Sequence, residues 1–388
     1  MAFELRSTLF EDDPYPRMKH FRENDPVHYA GEHQGWYLFR HANALELLHD
    51  ERFSSEQGWP DLSKVPELLR PMMEMRPRWM LNRDAPEHTR LRKPVARAFS
   101  PRRAEQLSPR FRAIAEDLTV SCGSSPTFNA MGSYALPLVR TAMAEIGGVP
   151  EESRARFSHL VSEQESTTNT REAIERNASA VTELGTFFDE LLRERREAPI
   201  DDYLSLVASL EPEALSWQER IATCVLVISA GAGVTVGSIG NALRALLEHP
   251  SELARFRDGD VDPDDAVDEL LRFDPTAVAL VRVAKRDTNA FGVKVAKGEK
   301  VTAVLGAANR DPEAFEDPER LDLARQPRHH LSFGHGEHYC IGASLARAQV
   351  RIALEVLLSS RPGLVRAPSP LVWRGGLQRV LASLPVRA

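Results

Sequence analysis

The stretch from His330 to Leu358 reads HLSFGHGEHYCIGASLARAQVRIALEVLL, and it decides which fold the chain adopts. A glycine-rich loop comes first, Cys340 lies near its end, and a segment of strong helix formers follows. Cys340 is therefore predicted to lie at or just before a helix N-terminus, where backbone N–H groups and the helix dipole favour a thiolate. Glycines on both sides of Cys340 remove side-chain bulk, so a flat, rigid group can lie against the backbone there.

Three kinds of site fit a cysteine in this setting. A thiolate held by backbone donors beside an open face is what a thiolate-ligated haem requires. A zinc site would combine Cys340 with nearby histidines, although zinc sites usually pair a second cysteine or histidine at fixed spacing. The histidines are His329, His330, His335 and His338. An acyl-transfer nucleophile would need a base and an oxyanion site, which the local pattern does not specify. Cys122 and Cys224 have no comparable setting and are predicted to be small buried residues.

The composition of the 388-residue chain is that of a globular protein, with 42% hydrophobic and 27% charged residues. Its formal net charge of −7 argues against a chain-wide nucleic-acid interface. The three cysteines are too few and too scattered for a disulfide framework, so we expect a cytoplasmic protein. The N-terminus lacks the basic and apolar regions of a signal peptide. No long or biased linker marks a boundary, and a single domain over 1–388 is predicted.

An uncharged stretch from Ile221 to Leu243 has the length of a membrane span. It contains several glycines together with serine and threonine, and Ser216 and Glu219 form a capping-box pattern just before it. A helix that is apolar all round can also cross the middle of a large soluble core. We therefore expect a buried core helix and no membrane span.

The remaining patterns predict a chain dominated by helices. Helical spacing, good helix formers or caps occur in the segments 107–119, 136–146, 175–196, 217–248, 264–273 and 343–359. Strand alternation occurs at 36–40 and in a predicted hairpin over 291–305 that turns at Lys297-Gly298. The regions 52–80 and 161–174 are predicted to be loops or lids.

The string Phe333-Gly334-x-Gly336-x-His338-x-Cys340-x-Gly342 resembles the haem-binding signature of the cytochrome P-450 family. Other motifs of that family occur in the right order, so the resemblance covers nearly the whole chain. It implies a cytochrome P-450 fold, mainly α with small β-sheets, with haem b between a distal central helix and the helix after the cysteine loop. Cys340 would be the axial ligand of the haem iron. The implied activity is monooxygenation of a small organic substrate in specialised (secondary) metabolism.

A second motif gains its meaning from the same resemblance. Glu269 and Arg272 are one helical turn apart, and Arg320 follows shortly before the cysteine loop. On their own, Glu269 and Arg272 would read as an exposed ion pair of little energetic weight. The resemblance implies instead that the three residues form a buried structural network that locks the cysteine loop beneath the haem.

A third motif supplies candidate haem-propionate ligands. His88 and Arg92 are four residues apart and therefore lie on one helix face, which alone would suit a solvated basic surface. The resemblance implies that His88, Arg92, Arg282 and His338 hold the two propionates. Cationic and donor groups against two carboxylates are electrostatically favourable.

The central helix departs from the family pattern. Ala230 and Gly231 match the small pair that leaves space for dioxygen, but the family then usually shows an acid and a threonine. Gly233 and Val234 occupy those positions, and Thr235 lies about 100° further around the helix. Neither Gly233 nor Val234 offers a side-chain proton, whereas proton delivery needs donors within hydrogen-bond reach.

Four explanations of this departure remain open. In the first, the substrate's own hydroxyl, amine or carboxyl group organises the proton supply. In the second, Thr235 or Ser229 replaces the missing threonine after a local helix distortion. In the third, the enzyme performs oxidative coupling, cyclisation or peroxide-driven chemistry, and in the fourth, Gly233 and Val234 only make room for a large substrate. A haem- or ligand-binding protein without turnover is a further alternative.

The electron source is expected to be another protein, because the sequence shows no flavin or nicotinamide fingerprint. The resemblance implies a ferredoxin, with a ferredoxin reductase, as partner. Basic residues near the cysteine side are the candidate docking patch by charge complementarity, although each one suits a solvated surface equally well. They are Arg102, Arg103, Arg328, Arg347 and Arg351.

Overall fold

Long segments of helix formers alternate with short β-branched runs, and helices dominate the resulting structure. It is a computed structural model that describes residues 13–31, 35–122, 127–164, 170–374 and 378–387. The α-helices in these ranges are α1 (Tyr15–Asn24), α2 (His41–His49), α3 (Arg70–Met75), α4 (Glu87–Arg92), α5 (Pro101–Ser121), α6 (Leu136–Gly147), α7 (Arg154–Gln164), α8 (Arg171–Glu197), α9 (Tyr203–Ala208), α10 (Trp217–Glu248), α11 (Pro250–Asp258), α12 (Pro263–Phe273), α13 (Leu305–Ala308) and α14 (Ala343–Ser360). The strands are β1 (Val27–Ala30), β2 (Gly35–Leu38), β3 (Phe53–Ser54), β4 (Thr127–Asn129), β5 (Ala279–Ala284), β6 (Thr288–Ala290), β7 (Val293–Val295), β8 (Lys300–Val304), β9 (Val365–Arg366), β10 (Val372–Arg374), β11 (Val380–Ser383) and β12 (Pro385–Arg387). The predicted fold class, mainly α with small β-sheets, is confirmed.

The chain divides into two compact units. Unit 1 consists of 1–54, 104–138 and 234–388, and unit 2 consists of 55–103 and 139–233. Helix α10 contributes its first half to unit 2 and its second half to unit 1. The single domain over 1–388 stays a prediction.

Unit 1 is built around a five-stranded sheet with the order β1-β2-β8-β5-β3. The central strand β8 pairs in parallel with β2 and antiparallel with β5. Four of its five residues are buried, because apolar side chains cover both of its faces. Arg282 lies in the middle of β5, opposite Val301 of β8, so the sheet fixes its position.

Helix α10 begins at the predicted capping box, which the structure confirms. The backbone N–H of Ser216 donates to the Glu219 carboxylate at 2.8 Å, and the N–H of Glu219 donates to the Ser216 hydroxyl at 3.4 Å. Within the described ranges α10 alone is long and apolar enough to cross a membrane, yet 72% of its most apolar window is buried inside the protein. Burial of this extent is typical of a core helix.

Each of the six predicted helices is present, and the predicted strand at 36–40 appears as β2, although it ends at Leu38. The predicted hairpin over 291–305 is wrong. Strand β7 pairs with β6, whereas β8 leaves at the Gly298 turn and inserts between β2 and β5. The physical reason is that β8 is apolar on both faces, so it needs a central position rather than an exposed hairpin.

The two predicted loops also differ from the structure. Region 52–80 contains β3, α3 and several 3₁₀ turns. In region 161–174, helix α7 continues to Gln164 and α8 begins at Arg171, while residues 165–169 lie outside the described part. The predicted loop therefore overlaps only the end of α7 and the first turn of α8, because most of the apolar face of α8, which includes Ala178, Val181 and Leu184, lies further along the helix.

In unit 2, Glu219 also ties α4 to the start of α10. Arg90 of α4 donates to the Glu219 carboxylate at 2.5 Å and to Glu87 at 2.8 Å. The hydrogen bond from Arg90 is the main cause that lowers the pKa of Glu219 from its ordinary value of 4.5 to about 2. The helix that carries His88 and Arg92 is thereby held by a charged contact.

We expect Glu219→Gln to lower the free energy of unfolding at neutral pH by on the order of 1 kcal/mol, because it removes the charge from a partly exposed ion pair. The folded-state pKa is depressed, so the carboxylate's contribution is complete above about pH 4.5 and is lost as the pH falls towards 2. Urea unfolding between pH 7 and pH 2 measures this difference. Glu87→Gln is the control and should change stability less; the same pH dependence in both variants would contradict the prediction.

Candidate functional site

The cysteine loop of unit 1, residues 331–342, is closed by its own backbone. Gly334 and Gly336 have φ angles of +70° and +72°, in the left-handed region that favours glycine. A Cβ at Gly336 would lie 2.8 Å from the carbonyl oxygen of Leu48, so a larger residue does not fit. The N–H of Cys340 donates to the carbonyl of Phe333 at 2.9 Å. Helix α14 begins three residues later, and the predicted position of Cys340 before a helix N-terminus is confirmed.

Cys340 differs from the other two cysteines in its exposure. It is exposed and forms no disulfide, whereas Cys224 is buried and Cys122 is partly buried. Burial raises the pKa of both the Cys122 and the Cys224 thiols, which makes them poor thiolates. Cys340 is therefore the cysteine that can act as a ligand. Among the described residues, it does not form a group of three close ligand atoms with the neighbouring histidines, and the zinc alternative loses its geometric basis.

Glu269 and Arg272 of α12 form a fully buried ion pair in unit 1. Arg272 donates twice to the carboxylate, at 2.7 Å from Nε and 2.8 Å from Nη2, and both side chains have no exposed surface. Arg272 Nη1 also donates to the carbonyls of Asn309 at 2.7 Å and Pro318 at 3.0 Å. The interpretation as an exposed ion pair is therefore wrong, and Glu269 and Arg272 are buried, as the resemblance implies.

The third arginine of this network differs from the prediction. Arg325 donates from Nε to the Glu269 carboxylate at 3.1 Å, and the N–H of Asp322 donates to the same oxygen at 3.1 Å. The side chain of Arg320 is exposed, and only its carbonyl takes part, by accepting from Arg272 at 3.4 Å. The irregular segment turns between the two arginines, and a turn has no sequence periodicity that shows which side chain points inward.

Each unit contains part of the predicted propionate set. In unit 1, Arg282 is buried and donates to the carbonyl of Val281 at 3.1 Å, and the largely buried ring of His338 lies 3.5 Å from the Glu337 carboxylate. In unit 2, His88 is buried and Arg92 is half-buried, and both lie on α4 as predicted. The one-face arrangement of His88 and Arg92 follows from their spacing of four.

The middle of α10 carries an accessible strip on an otherwise buried helix. Ala230 is exposed, and Gly231, Gly233 and Val234 are partly exposed, whereas Thr235 is buried. The helix is continuously α-helical from Trp217 to Glu248, so the structure shows no distortion that would turn Thr235 towards the strip. A Cβ at Gly231 would lie 2.8 Å from the Met143 methyl group, so glycine lets α6 approach α10 closely.

One turn beyond Val234 lies a hydroxyl pair that the sequence analysis missed. Ser238 donates to the carbonyl of Val234 at 3.0 Å, and its oxygen lies 3.1 Å from the hydroxyl of Thr276. Both residues are buried. The spacing of four from Val234 was the available signal, since residues four apart share a helix face.

The described residues fit the chemistry of a haem-thiolate site. Unit 1 offers an exposed thiol before a helix N-terminus, which stabilises a thiolate, and a buried guanidinium at Arg282. Unit 2 offers further nitrogen donors on α4. A thiolate for iron together with cationic donors for two carboxylates is the donor set that such a group requires.

Comparison with known proteins identifies the family. The Cytochrome P450 family model matches residues 264–360. The chain is 33% identical to the biotin biosynthesis cytochrome P450 of Bacillus subtilis (strain 168), over 100% of this chain and 99% of the relative. It is 35% identical to the vitamin D(3) 25-hydroxylase of Pseudonocardia autotrophica, over 99% and 96%. The crystal structure of P450BioI in complex with hexadec-9Z-enoic acid ligated acyl carrier protein matches with a TM-score of 0.89 and 31% identity, over 98% and 99%.

The chain therefore belongs to the cytochrome P450 family. It is an oxidoreductase of the monooxygenase type, and the family uses a haem iron. A binding protein without turnover is thereby set aside.

Three of the arginines in the predicted docking patch have acidic partners. Arg347 pairs with Asp268 at 2.5 Å, Arg351 with Asp264 at 3.3 Å, and Arg103 with Asp201 at 3.7 Å. Arg102 and Arg328 are exposed. Asp268 was missed in the sequence because an acidic residue next to Glu269 on a helix carries no distinguishing signal.

We expect Arg325→Ala to lower the free energy of unfolding by about 1–3 kcal/mol, because it removes a charged hydrogen bond from the buried Glu269 carboxylate. Arg320→Ala is the matched control and should stay within about 0.5 kcal/mol of wild type, since its side chain is exposed. Denaturant unfolding of wild type and both variants measures the two losses in the free energy of unfolding. Equal losses of stability, or a larger loss for Arg320→Ala, would contradict the role of Arg325 and favour Arg320 as the third arginine of the network.

Proposed function

We propose that this cytochrome P450 inserts oxygen into a small organic substrate in specialised metabolism, with haem b and with Cys340 as the axial ligand. The observation that carries the proposal is the exposed Cys340 thiol in a glycine-shaped loop before α14. When bound, a haem with a thiolate ligand supplies the oxidising chemistry, because electron donation by the thiolate favours O–O cleavage. Relatives named for biotin biosynthesis and for vitamin D(3) hydroxylation support a small organic substrate.

The proposed propionate ligands are His88, Arg92, Arg282 and His338, as the resemblance to the family implies. The burial of His88 and Arg282 supports this assignment, because a buried cationic or donor group is retained where it meets an anion. Glu269, Arg272 and Arg325 are assigned a structural role, since Glu269 and Arg272 form a fully buried ion pair and Arg325 donates to the same carboxylate in a partly buried hydrogen bond.

The proposed proton supply does not come from the side chains of the strip on α10, which are those of Ala230, Gly231, Gly233 and Val234. Ala230 and Gly231 would leave room for dioxygen, and Gly233 and Val234 have no proton to give. Thr235 is buried and Ser238 already donates to the carbonyl of Val234, which supports a proton supply organised by a polar group of the substrate. The reaction would then select substrates by their polar groups as well as by shape.

A ferredoxin with its reductase is the proposed electron source, in the cytoplasm. The exposed arginines Arg102 and Arg328 support an acidic partner by charge complementarity. The solved relative with a ligated acyl carrier protein supports a second possibility for substrate delivery, in which the substrate arrives attached to a carrier.

We expect the haem-loaded wild type to give the far red-shifted ferrous carbonyl band of thiolate ligation, and Cys340→Ala to lose it. The reason is that Cys340 alone among the three cysteines is exposed before a helix N-terminus. Cys122→Ala is the control and should keep the band, and circular dichroism confirms that both variants fold. Retention of the band in Cys340→Ala would overturn the assignment of the ligand.

The proton supply is tested by the double variant Gly233→Asp, Val234→Thr. With a compound that perturbs the haem spectrum but lacks polar groups, the variant should form more product per reductant consumed, because a positioned donor contributes about 10²- to 10⁴-fold to proton transfer. Val234→Ala controls for the change in shape. Tight coupling of the wild type with that compound would refute substrate assistance, and labelled dioxygen absent from every product would favour oxidative coupling or cyclisation.

A further inference from the structure

Arg347 of α14 contacts two aromatic residues of the cysteine loop, Tyr339 and Phe333. Its Nη1 donates to the hydroxyl oxygen of Tyr339 at 3.1 Å. Its guanidinium carbon lies 4.4 Å from the centroid of the Phe333 ring, a cation–π distance. The carbonyl of Phe333 accepts the N–H of Cys340 at 2.9 Å. One side chain therefore contacts the residue that precedes Cys340 and the residue that closes the loop.

Asp268 of α12 holds the other side of Arg347. Arg347 Nε donates to Asp268 Oδ1 at 2.5 Å, and Nε2 of His330 lies 3.4 Å from the same oxygen. Burial raises the pKa of the Asp268 carboxyl, but His330 and Arg347 outweigh it and hold this pKa below its ordinary value. The Asp268 carboxylate is therefore charged at neutral pH and fixes the guanidinium from a helix outside the loop.

We propose that Arg347 is a positioning residue for the thiolate, which with Asp268 and Tyr339 forms a clamp that holds the cysteine loop in one conformation. The inference rests on the proposed function in one respect, namely that Cys340 is the axial ligand. The planar guanidinium suits this task, because it presents Nε and Nη1 in different directions and offers its face to an aromatic ring at the same time.

This role differs from the docking role that the sequence suggested for Arg347. Its charge is matched by Asp268, whose side chain is 24% exposed, and its donors and face are used inside unit 1. Arg351 lies one turn further along α14 and provides a matched comparison. It pairs with Asp264, whose side chain is 72% exposed, so its partner belongs to the surface.

The test compares Arg347→Gln with Arg351→Gln in the haem-loaded enzyme. Hydrogen exchange of the peptide that spans 331–342 should become about tenfold faster or more in Arg347→Gln, because a lost charge-assisted hydrogen bond shifts a local opening equilibrium by at least that factor. Part of the ferrous carbonyl absorption should move from the thiolate to the thiol type. Arg351→Gln should match wild type in both measurements.

Two further variants make the test specific. Asp268→Asn should accelerate exchange of the same peptide, and combining it with Arg347→Gln should add little, since both substitutions break one contact. If Arg347→Gln does not fold, Arg347→Lys replaces it; the lysine keeps the charge without the fork and should give an intermediate exchange rate.

Unchanged exchange and an unchanged carbonyl spectrum in Arg347→Gln, together with a raised KM for the ferredoxin, would overturn the positioning role and restore the docking role. Equal effects of Arg347→Gln and Arg351→Gln would overturn it as well. Failure of the proposed function gives a different result, because the wild type itself would then lack the thiolate band.

Discussion

The buried ion pair between Glu269 and Arg272 is the constraint on which the site in unit 1 depends. An unpaired charge at either position would cost several kcal/mol, so the two side chains must stay together. Arg272 also donates hydrogen bonds from Nη1 to the carbonyls of Asn309 and Pro318. The side chain of Asn309 then accepts from the N–H of Leu331 at 2.7 Å and donates to Ser332 at 2.8 Å. The start of the cysteine loop is thereby tied to α12 through hydrogen bonds.

Tyr339, the residue directly before Cys340, is tied to the same helix by a different route. Asp268, adjacent to Glu269, binds Arg347, and Arg347 reaches Tyr339 and the Phe333 ring. Helix α12 therefore anchors the loop at its start and at Tyr339, the residue directly before Cys340. A thiolate ligand needs a fixed distance and angle to its metal, and two anchors on one rigid helix provide a frame for that geometry.

The central helix α10 offers few polar groups to a substrate. Its accessible strip consists of small or apolar residues, and the hydroxyls nearby in the helix are buried or already bonded to backbone. A site with few polar groups admits many shapes and discriminates weakly between them. Under the proposed function, the polar groups of the substrate would decide both binding and proton supply.

The sequence determined the six long helices, the capping box of α10, the class of site around Cys340 and the helix that carries His88 and Arg92. Each of these depends on neighbours in the chain: apolar periodicity, a cap three residues from its partner, or glycines beside a cysteine. Only the tertiary structure decided that β8 leaves its predicted hairpin, that Arg325 rather than Arg320 meets Glu269, and that Asp268 and Arg347 clamp the loop. These contacts join residues that are distant in sequence. Burial and charge in the folded protein determine which residues pair, and a local sequence pattern contains no information about either.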